Sequence, residues 1–378
     1  LSAAKDEEAM VTRVDPGLMR EVATLGAADL GACMSCGNCT ATCTLATETE
    51  AFPRRIIHLV QIGHRAALER SLEPWLCYYC GDCSASCPRD AHPGEIMMAA
   101  RRWLTGAYDV TGLGRRFYRA GAWEIGAMAL VGGVVAALLA LFHGPVITDR
   151  VALNVFAPVA WIELADWGMA AVLAGLLLAN GWRMVRRVLG PGPWPPAAVF
   201  LAEARTFVTH FLTQRRWREC PGERRRWVTH LLLVSGYLTM MGLVIVGLRW
   251  FQTDEVRSPL HPTRLLGYYA TAVLLYAGTT FLVGRLRARR PIHERSEPSD
   301  WLFLGLLLAV TLTGLLVHVL RLAGAARATY VLYVIHLAVT APFLIVEVPF
   351  GKWAHMLYRP LALYLRAVRQ RAGVDPAA

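Results

Sequence analysis

The 378-residue chain is short of charge: 18% of its residues are Asp, Glu, Lys or Arg, against 55% hydrophobic. That is poorer in charge and richer in apolar side chains than an average soluble domain. No glycine-rich dinucleotide fingerprint follows a strand-like run, since the "GGVVAALLA" at 132–140 lies inside a long apolar stretch. Neither a flavin nor a nicotinamide site is therefore expected in this chain. The opening "LSAAKDEEAM" is acidic, with no apolar run and no small-residue cleavage pattern, so no signal peptide is expected and the front part should stay in the cytoplasm. A basic surplus is missing from the front as well. Residues 1–118 hold 12 Lys+Arg against 14 Asp+Glu, whereas the remainder holds 27 against 14. The net charge of +11 thus belongs to the hydrophobic part. This argues against a nucleic-acid partner, because basic residues at the ends of apolar segments are what membrane insertion demands.

Six stretches approach the roughly 20 residues needed to cross a bilayer: about 122–142, 161–181, 228–250, 264–284, 301–321 and 329–349. Their flanks differ in charge. Segment 182–227 holds ten arginines and 285–300 adds Arg285, Arg287, Arg289, Arg290 and Arg295, while loops 143–160 and 251–263 contain one arginine each. Short basic loops stay inside, so both termini are expected on the cytoplasmic side of the inner membrane. After the turn-rich "GPGPWPP", residues 197–218 mix apolar residues at helical spacing with a basic end. They are expected to form a helix in the membrane interface, with a solvated linker as the alternative; His210 on it reads as a surface or partner-facing residue.

The front carries its own chemistry. "CMSCGNCTATC" places Cys33, Cys36, Cys39 and Cys43, and "CYYCGDCSASCP" repeats the spacing with Cys77, Cys80, Cys83 and Cys87. Three thiolates on a short loop can wrap one face of a cubic iron–sulfur cluster, and the fourth, expected to start a helix, points elsewhere. In two-cluster ferredoxins that fourth cysteine ligates the other cluster. The expected ligand sets are Cys33, Cys36, Cys39 and Cys87 for one 4Fe–4S cluster and Cys77, Cys80, Cys83 and Cys43 for the second. Proline follows Cys87, but Thr44 follows Cys43. Structural zinc prefers two ligand pairs separated by a longer loop, and disulfides are disfavoured in the cytoplasm. Cys220 stands apart in the arginine-rich loop and reads as a spare thiol.

Between the two runs, Ile56, Ile57, Leu59, Val60 and Ile62 give a helix with Pro53 at its first turn, expected to pack under both clusters. His58 and His64 lie on the same segment and read as packing or partner-contact residues. The cysteine runs together with "PRRIIHLVQIG" and "WLCYYCGDCSASCPRD" resemble the C subunit of heterodisulfide reductase, a small helical module with two 4Fe–4S clusters. The likeness covers roughly residues 20–105.

An ionisable residue inside a span is a functional candidate by default. His230 opens the third span and His355 follows the sixth, so both are expected near the cytoplasmic face. Two histidines at one depth on different helices suit a six-coordinate b-type haem. The last segment, "YVIHLAVTAPFLIVEVPFGKWAHMLYRPL", resembles the final helix of the gamma subunit of respiratory nitrate reductase, in which two histidines serve two stacked haems. His336 and His355 match those positions. Nineteen residues of straight helix rise roughly 28 Å, so two haems are implied. The second haem's other ligand would be His318 in "TGLLVHVLRLAG", about 5 Å out of level with His336 by helix rise, or Met240, ten residues after His230. A histidine bonding a quinone or a carbonyl is the competing role for His318. Glu347, with Lys352 a turn beyond, is either half of an interfacial ion pair or a proton-handling group beside a quinone. Arg249, Glu163 and Asp166 sit at outer helix ends and are assigned nothing.

The expectation is an all-α protein: a cytoplasmic two-cluster ferredoxin-like domain over 1–118, then a six-helix transmembrane cytochrome b domain over 119–370. As a whole it resembles the membrane subunit of the quinone-interacting membrane-bound oxidoreductase (Qmo) family. That resemblance implies electron transfer between menaquinone and cytoplasmic partner subunits bearing flavin and iron–sulfur groups, with adenylylsulfate (APS) reductase beyond them. The quinone-site candidates are His318, Glu347 and Lys352. The alternatives are a membrane anchor for a heterodisulfide-reductase-like or electron-transferring-flavoprotein complex, and a zinc-stabilised membrane scaffold without a redox role.

Overall fold

The computed structural model describes residues 13–46, 51–219, 222–288 and 291–373; Cys220 lies outside them. Among the described residues there is no strand. The chain divides into two compact units, Leu1–Leu104 with Val185–Trp194, and Thr105–Met184 with Pro195–Ala378.

The front unit is built from short helices: α1 Leu18–Ala23, α2 Asn38–Thr42, α3 Arg54–Gln61, α4 Arg65–Arg70, α5 Glu73–Leu76, α6 Asp82–Ala85 and the start of α7 Pro93–Tyr108. Their core is apolar and closed, with Leu18, Val22, Leu30, Ile56, Ile57, Val60 and Leu68 without exposed surface. Helix α3 shows why: its apolar residues recur at helical spacing, so one face is buried. Ile62, expected with that face, lies past the helix end and is 43% exposed. His58 is exposed. His64 caps α4 by accepting the Ala67 N–H at 3.3 Å, which satisfies one of the helix's orphan donors. Arg65 bonds Asp15 and reaches Glu21 at 3.2 Å, and its guanidinium lies 5.2 Å above the Trp103 ring.

The second unit continues with α8 Leu113–Arg119, α9 Gly121–Phe142, α10 Leu153–Phe156, α11 Val159–Leu189, α12 Ala197–Thr213, α13 Arg224–Ile245, α14 Leu248–Phe251, α15 Pro262–Arg287, α16 Pro291–Glu294, α17 Pro298–Leu322, α18 Ala326–Pro342 and α19 His355–Ala372. Six helices among the described residues are long and apolar enough to cross a membrane: α9, α11, α13, α15, α17, and α18 with the turn after it. The third ends at Ile245, short of the expected 250, and the chain restarts a short helix at Leu248. The sixth ends in a π-helical turn, Phe343–Glu347, placed directly after Pro342. Pro342 contributes no N–H to the ladder, and the widened turn begins with the next residue.

Helix α13 packs on α15, α15 on α17, α17 on α18, and α18 on α9. None of the apolar window of α11 is buried. Helix α12 forms where residues 197–218 were expected to be helical, although the α-helix stops at Thr213. It packs against α19, with Tyr364 donating to the Phe200 carbonyl at 3.0 Å and Arg371 paired with Glu203 at 2.9 Å.

Candidate electron-transfer sites

The two cysteine runs fold alike. Gly37 and Gly81 follow the second cysteine of each run with φ of 87° and 95°, a conformation that costs glycine little and other residues much. Ser35 and Tyr79, one residue before that second cysteine, also have positive φ, 54° and 58°. The double turn feeds the chain into α2 and α6, and these helices pack against each other. Asn38 Nδ2 donates to the Ser86 carbonyl at 2.5 Å, and Ser86 and Thr42 join hydroxyls at 3.3 Å. The fourth cysteine of each run follows a short helix and does not start one, because the glycine turns the chain into the helix before the third cysteine.

Cys39 and Cys77 are buried, Cys36 is exposed, and the other five are partly buried. The electrostatic neighbours of Cys39 are Cys33 and Cys36 of its own run. Cys43 interacts instead with Cys77 of the other run, and Cys83 with Cys77, Cys80, Cys43 and Cys39. Burial raises the Cys39, Cys43 and Cys83 thiols above their ordinary value and pushes Cys80 up to about 11. Thiolates in such surroundings require a cationic group among them. Among the described residues, no three of His, Cys, Asp and Glu converge on the single point that one metal ion would need. A cubic cluster, by contrast, spreads its thiolates around a body of several atoms. Backbone amides add support, with Tyr79 N–H on Cys77 Sγ at 3.3 Å and Ala91 N–H on Cys87 Sγ at 3.4 Å.

In the second unit, His230 on α13 and His355 at the start of α19 come together with ring centroids 5.8 Å apart and planes at 64°. Two imidazoles on opposite sides of one metal, with bonds of roughly 2 Å and ring centres about 1 Å beyond, would stand about 6 Å apart. His355 Nδ1 donates to the Lys352 carbonyl, which leaves Nε2 with its lone pair, the arrangement seen at metal-bound histidines. His230 Nδ1 is buried with no hydrogen-bond partner. The Trp217 ring lies tilted at 57° with its centre 5.2 Å from that of His230, and Arg226 and Arg359 lie 5.1 and 5.7 Å from the Trp217 ring centre. Two imidazoles flanked by guanidinium groups that can meet carboxylates form a donor set that fits a haem. The arginines could not be assigned from spacing, because α13 and α19 are far apart in sequence.

His336 and His318 do not pair in this way. His336 Nδ1 shares a hydrogen bond of 2.9 Å with Thr313 Oγ1, and a Cβ on Gly314 would come within 3.1 Å of its ring. His336 is therefore level with Thr313, and His318, five residues further along α17, is about 7.5 Å out of level by helix rise. His318 Nε2 meets the Tyr268 hydroxyl at 3.1 Å. Arg264 and Arg321 act on His318 electrostatically; they are 8% and 9% exposed, and Arg264 Nη2 has no partner. Met240 is half-buried on α13. Glu347 has no exposed surface and accepts the Lys352 N–H at 2.9 Å, while the Lys352 ammonium pairs with Asp300. Arg249 binds Glu163 at 2.7 Å.

Residues 32–92 match the 4Fe-4S dicluster domain family. A protein of Archaeoglobus profundus named as like the C subunit of heterodisulfide reductase is 33% identical over 103 residues, 27% of this chain and 55% of that protein. The E subunit of the dihydromethanophenazine:CoB–CoM heterodisulfide reductase of Methanosarcina thermophila is 23% identical over 263 residues, 62% of this chain and 96% of the relative. Citrate utilization protein B of Escherichia coli is 27% identical over 326 residues, 79% of this chain and 82% of that one. The chain thus spans about half the length of the first of these relatives, and no solved structure matches it. A 4Fe–4S dicluster domain thus stands in front of six helices long and apolar enough to cross a membrane, and the two parts are similar to the C and E subunits of heterodisulfide reductase respectively.

Proposed function

We propose that the chain passes electrons between menaquinone in the membrane and flavin- and iron–sulfur-bearing cytoplasmic partner subunits of the Qmo type, in the pathway of APS reductase. Cys33, Cys36, Cys39 and Cys87 hold one 4Fe–4S cluster in this reading, and Cys77, Cys80, Cys83 and Cys43 the other. The placement of Cys43 beside Cys77 and Cys83 supports the crossed ligand set. The front unit and both termini lie in the cytoplasm, as the arginine-rich loops imply.

The observation that carries the reading is the meeting of His230 and His355 from distant parts of the chain, with their rings at the spacing of a bis-imidazole site. His230 and His355 hold one haem b and His336, with His318 or Met240, a second. Bound there, the haems supply single-electron carriers, which suit a quinol that releases its electrons as a pair. The Lys352 carbonyl keeps His355 Nδ1 protonated and its Nε2 toward the site. Trp217 closes the flank of His230, and Arg226 and Arg359 supply positive charge. His318 with Tyr268, and Glu347 with Lys352, are the candidate contacts for the quinone head group.

Purified protein should show reduced b-type haem bands and broad iron–sulfur absorbance together, and Cys83→Ser should remove the signal of one cluster in electron paramagnetic resonance. A colourless preparation ends the electron-wire reading. A heterodisulfide-reductase-type complex is the second reading, supported by the relatives named for that enzyme. The subunits that co-purify distinguish the two.

A further inference from the structure

At the end of the bundle where His355 lies, two carboxyl groups from opposite ends of the membrane unit's sequence meet in the buried interior. Glu124 is in the first turn of α9 and 2% exposed; Glu347 ends the π-helical turn and has no exposed surface. Phe117, Met128, Val346 and Phe350 form an apolar cluster directly beside them. The glutamates lie within side-chain hydrogen-bonding reach of each other. Glu347 Oε2 accepts the Lys352 N–H at 2.9 Å, while Oε1 is buried with no donor. Two carboxylates cannot hydrogen-bond to each other, since each can only accept. Their contact becomes a bond when one of them carries a proton, and burial makes two adjacent negative charges costly.

We propose that Glu124 and Glu347 share one proton and form a proton site of the membrane unit, loaded and unloaded from the His355 end. The reaction is proton exchange alone: a proton from water converts one carboxylate to a carboxylic acid, and its release restores the ion, with no change of oxidation state. The backbone is built around this pair. A Cβ at Gly351 would collide with Glu347 Oε2, so a residue without a side chain lets the strap Gly351–Lys352 close over the carboxylate. Lys352 then joins two sites through one residue, its N–H on Glu347 and its C=O on His355 Nδ1–H. The other ionisable groups around the pair are Asp300 on α17, which holds the Lys352 ammonium, Arg285 on α15, 3.9 Å from Asp300, and Tyr237 on α13. The Tyr237 hydroxyl is buried without a partner and acts electrostatically on Glu347. Through Lys352 the pair is placed to answer a change of charge at the histidine pair. That last link rests on the haem reading; the shared proton does not.

Infrared difference spectroscopy of the purified, detergent-solubilised chain between acidic and alkaline pH tests the site directly. The expected result is a carbonyl stretching band of a protonated carboxylic acid at neutral pH that shifts in heavy water and titrates away as one proton. Glu347→Gln and Glu124→Gln should each abolish the whole band, because either substitution leaves a single carboxylate with an amide donor beside it. Absence of the band in the unsubstituted protein, its persistence in both variants, or loss of only a separate part of it in each would overturn the shared proton. The unsubstituted protein decides the first point even if a variant does not accumulate. Visible spectra of the same samples report the haems independently, so missing haem bands with an intact carboxyl band would sink the haem reading and leave the proton site standing.

Discussion

His230 and His355 differ from His336 and His318 in how the fold treats a pair of histidines. The first two come from helices far apart in sequence and end with rings 5.8 Å apart. The second two stand on neighbouring helices, α17 and α18, joined by a three-residue connection, yet each bonds a hydroxyl, Thr313 for His336 and Tyr268 for His318. Closeness along the chain did not bring them level. An antiparallel helix pair fixes depth by register, and with His336 opposite Thr313 the register leaves His318 about 7.5 Å nearer the connection. Both sites nonetheless sit beside two arginines, Arg226 and Arg359 in one case and Arg264 and Arg321 in the other. Positive charge next to imidazole is thus the shared feature, and convergence of the rings is what separates the sites.

The strongest way to break this contrast is to remove the converging pair. On the proposed assignment, His230→Ala and His355→Ala should each lower haem content by about half, and the double variant should lose no more, since one haem would take both ligands. Haem per protein by pyridine haemochrome measures it, and undiminished content in either variant would refute the pairing. At the other site, His336→Ala should remove the remaining half, while His318→Ala and Met240→Leu divide the question of the second ligand: only the true ligand's loss should lower haem content. If neither does, both assignments fall.

Two smaller effects sharpen the comparison. Gly351→Ala should destabilise the protein by roughly 1–3 kcal/mol through overpacking against Glu347, read as a lowered thermal midpoint, and should disturb the haem proposed at His355 while leaving that proposed at His336 unchanged. Thr313→Val keeps the side-chain shape but removes the hydroxyl from His336. It should cost about 0.5–1.5 kcal/mol of stability and shift the midpoint potential of the haem proposed at His336 alone, measured by redox titration of the two expected haem bands.

Much of this was legible in the residues. Six apolar runs of bilayer length became six long apolar helices, because hydropathy over that length is a local property that lipid reads directly. The doubled cysteine spacing located a 4Fe–4S dicluster domain, matched over residues 32–92, since a loop of that size must present its thiolates together. The helix over 197–213 was also visible, as was the buried face of α3, apart from Ile62 beyond its end. The glycine in each cysteine run carried a signal that went unread: its positive φ starts the helix before the fourth cysteine. Glu124 gave no signal either. One acidic residue at a helix start is ordinary, and only packing α9 on α18 sets it against Glu347.

What the sequence determined by itself was therefore composition-borne: the presence of six long apolar helices and the clustering of sulfur, each governed by interactions within a turn or a loop. What the tertiary structure alone decided was which side chains meet. The helix register that separates His318 from His336, the strap at Gly351 that ties Glu347 to His355, and the guanidinium groups around Trp217 depend on how helices distant in the chain pack. Packing is settled by the fit of whole surfaces, and no single stretch of sequence contains that information.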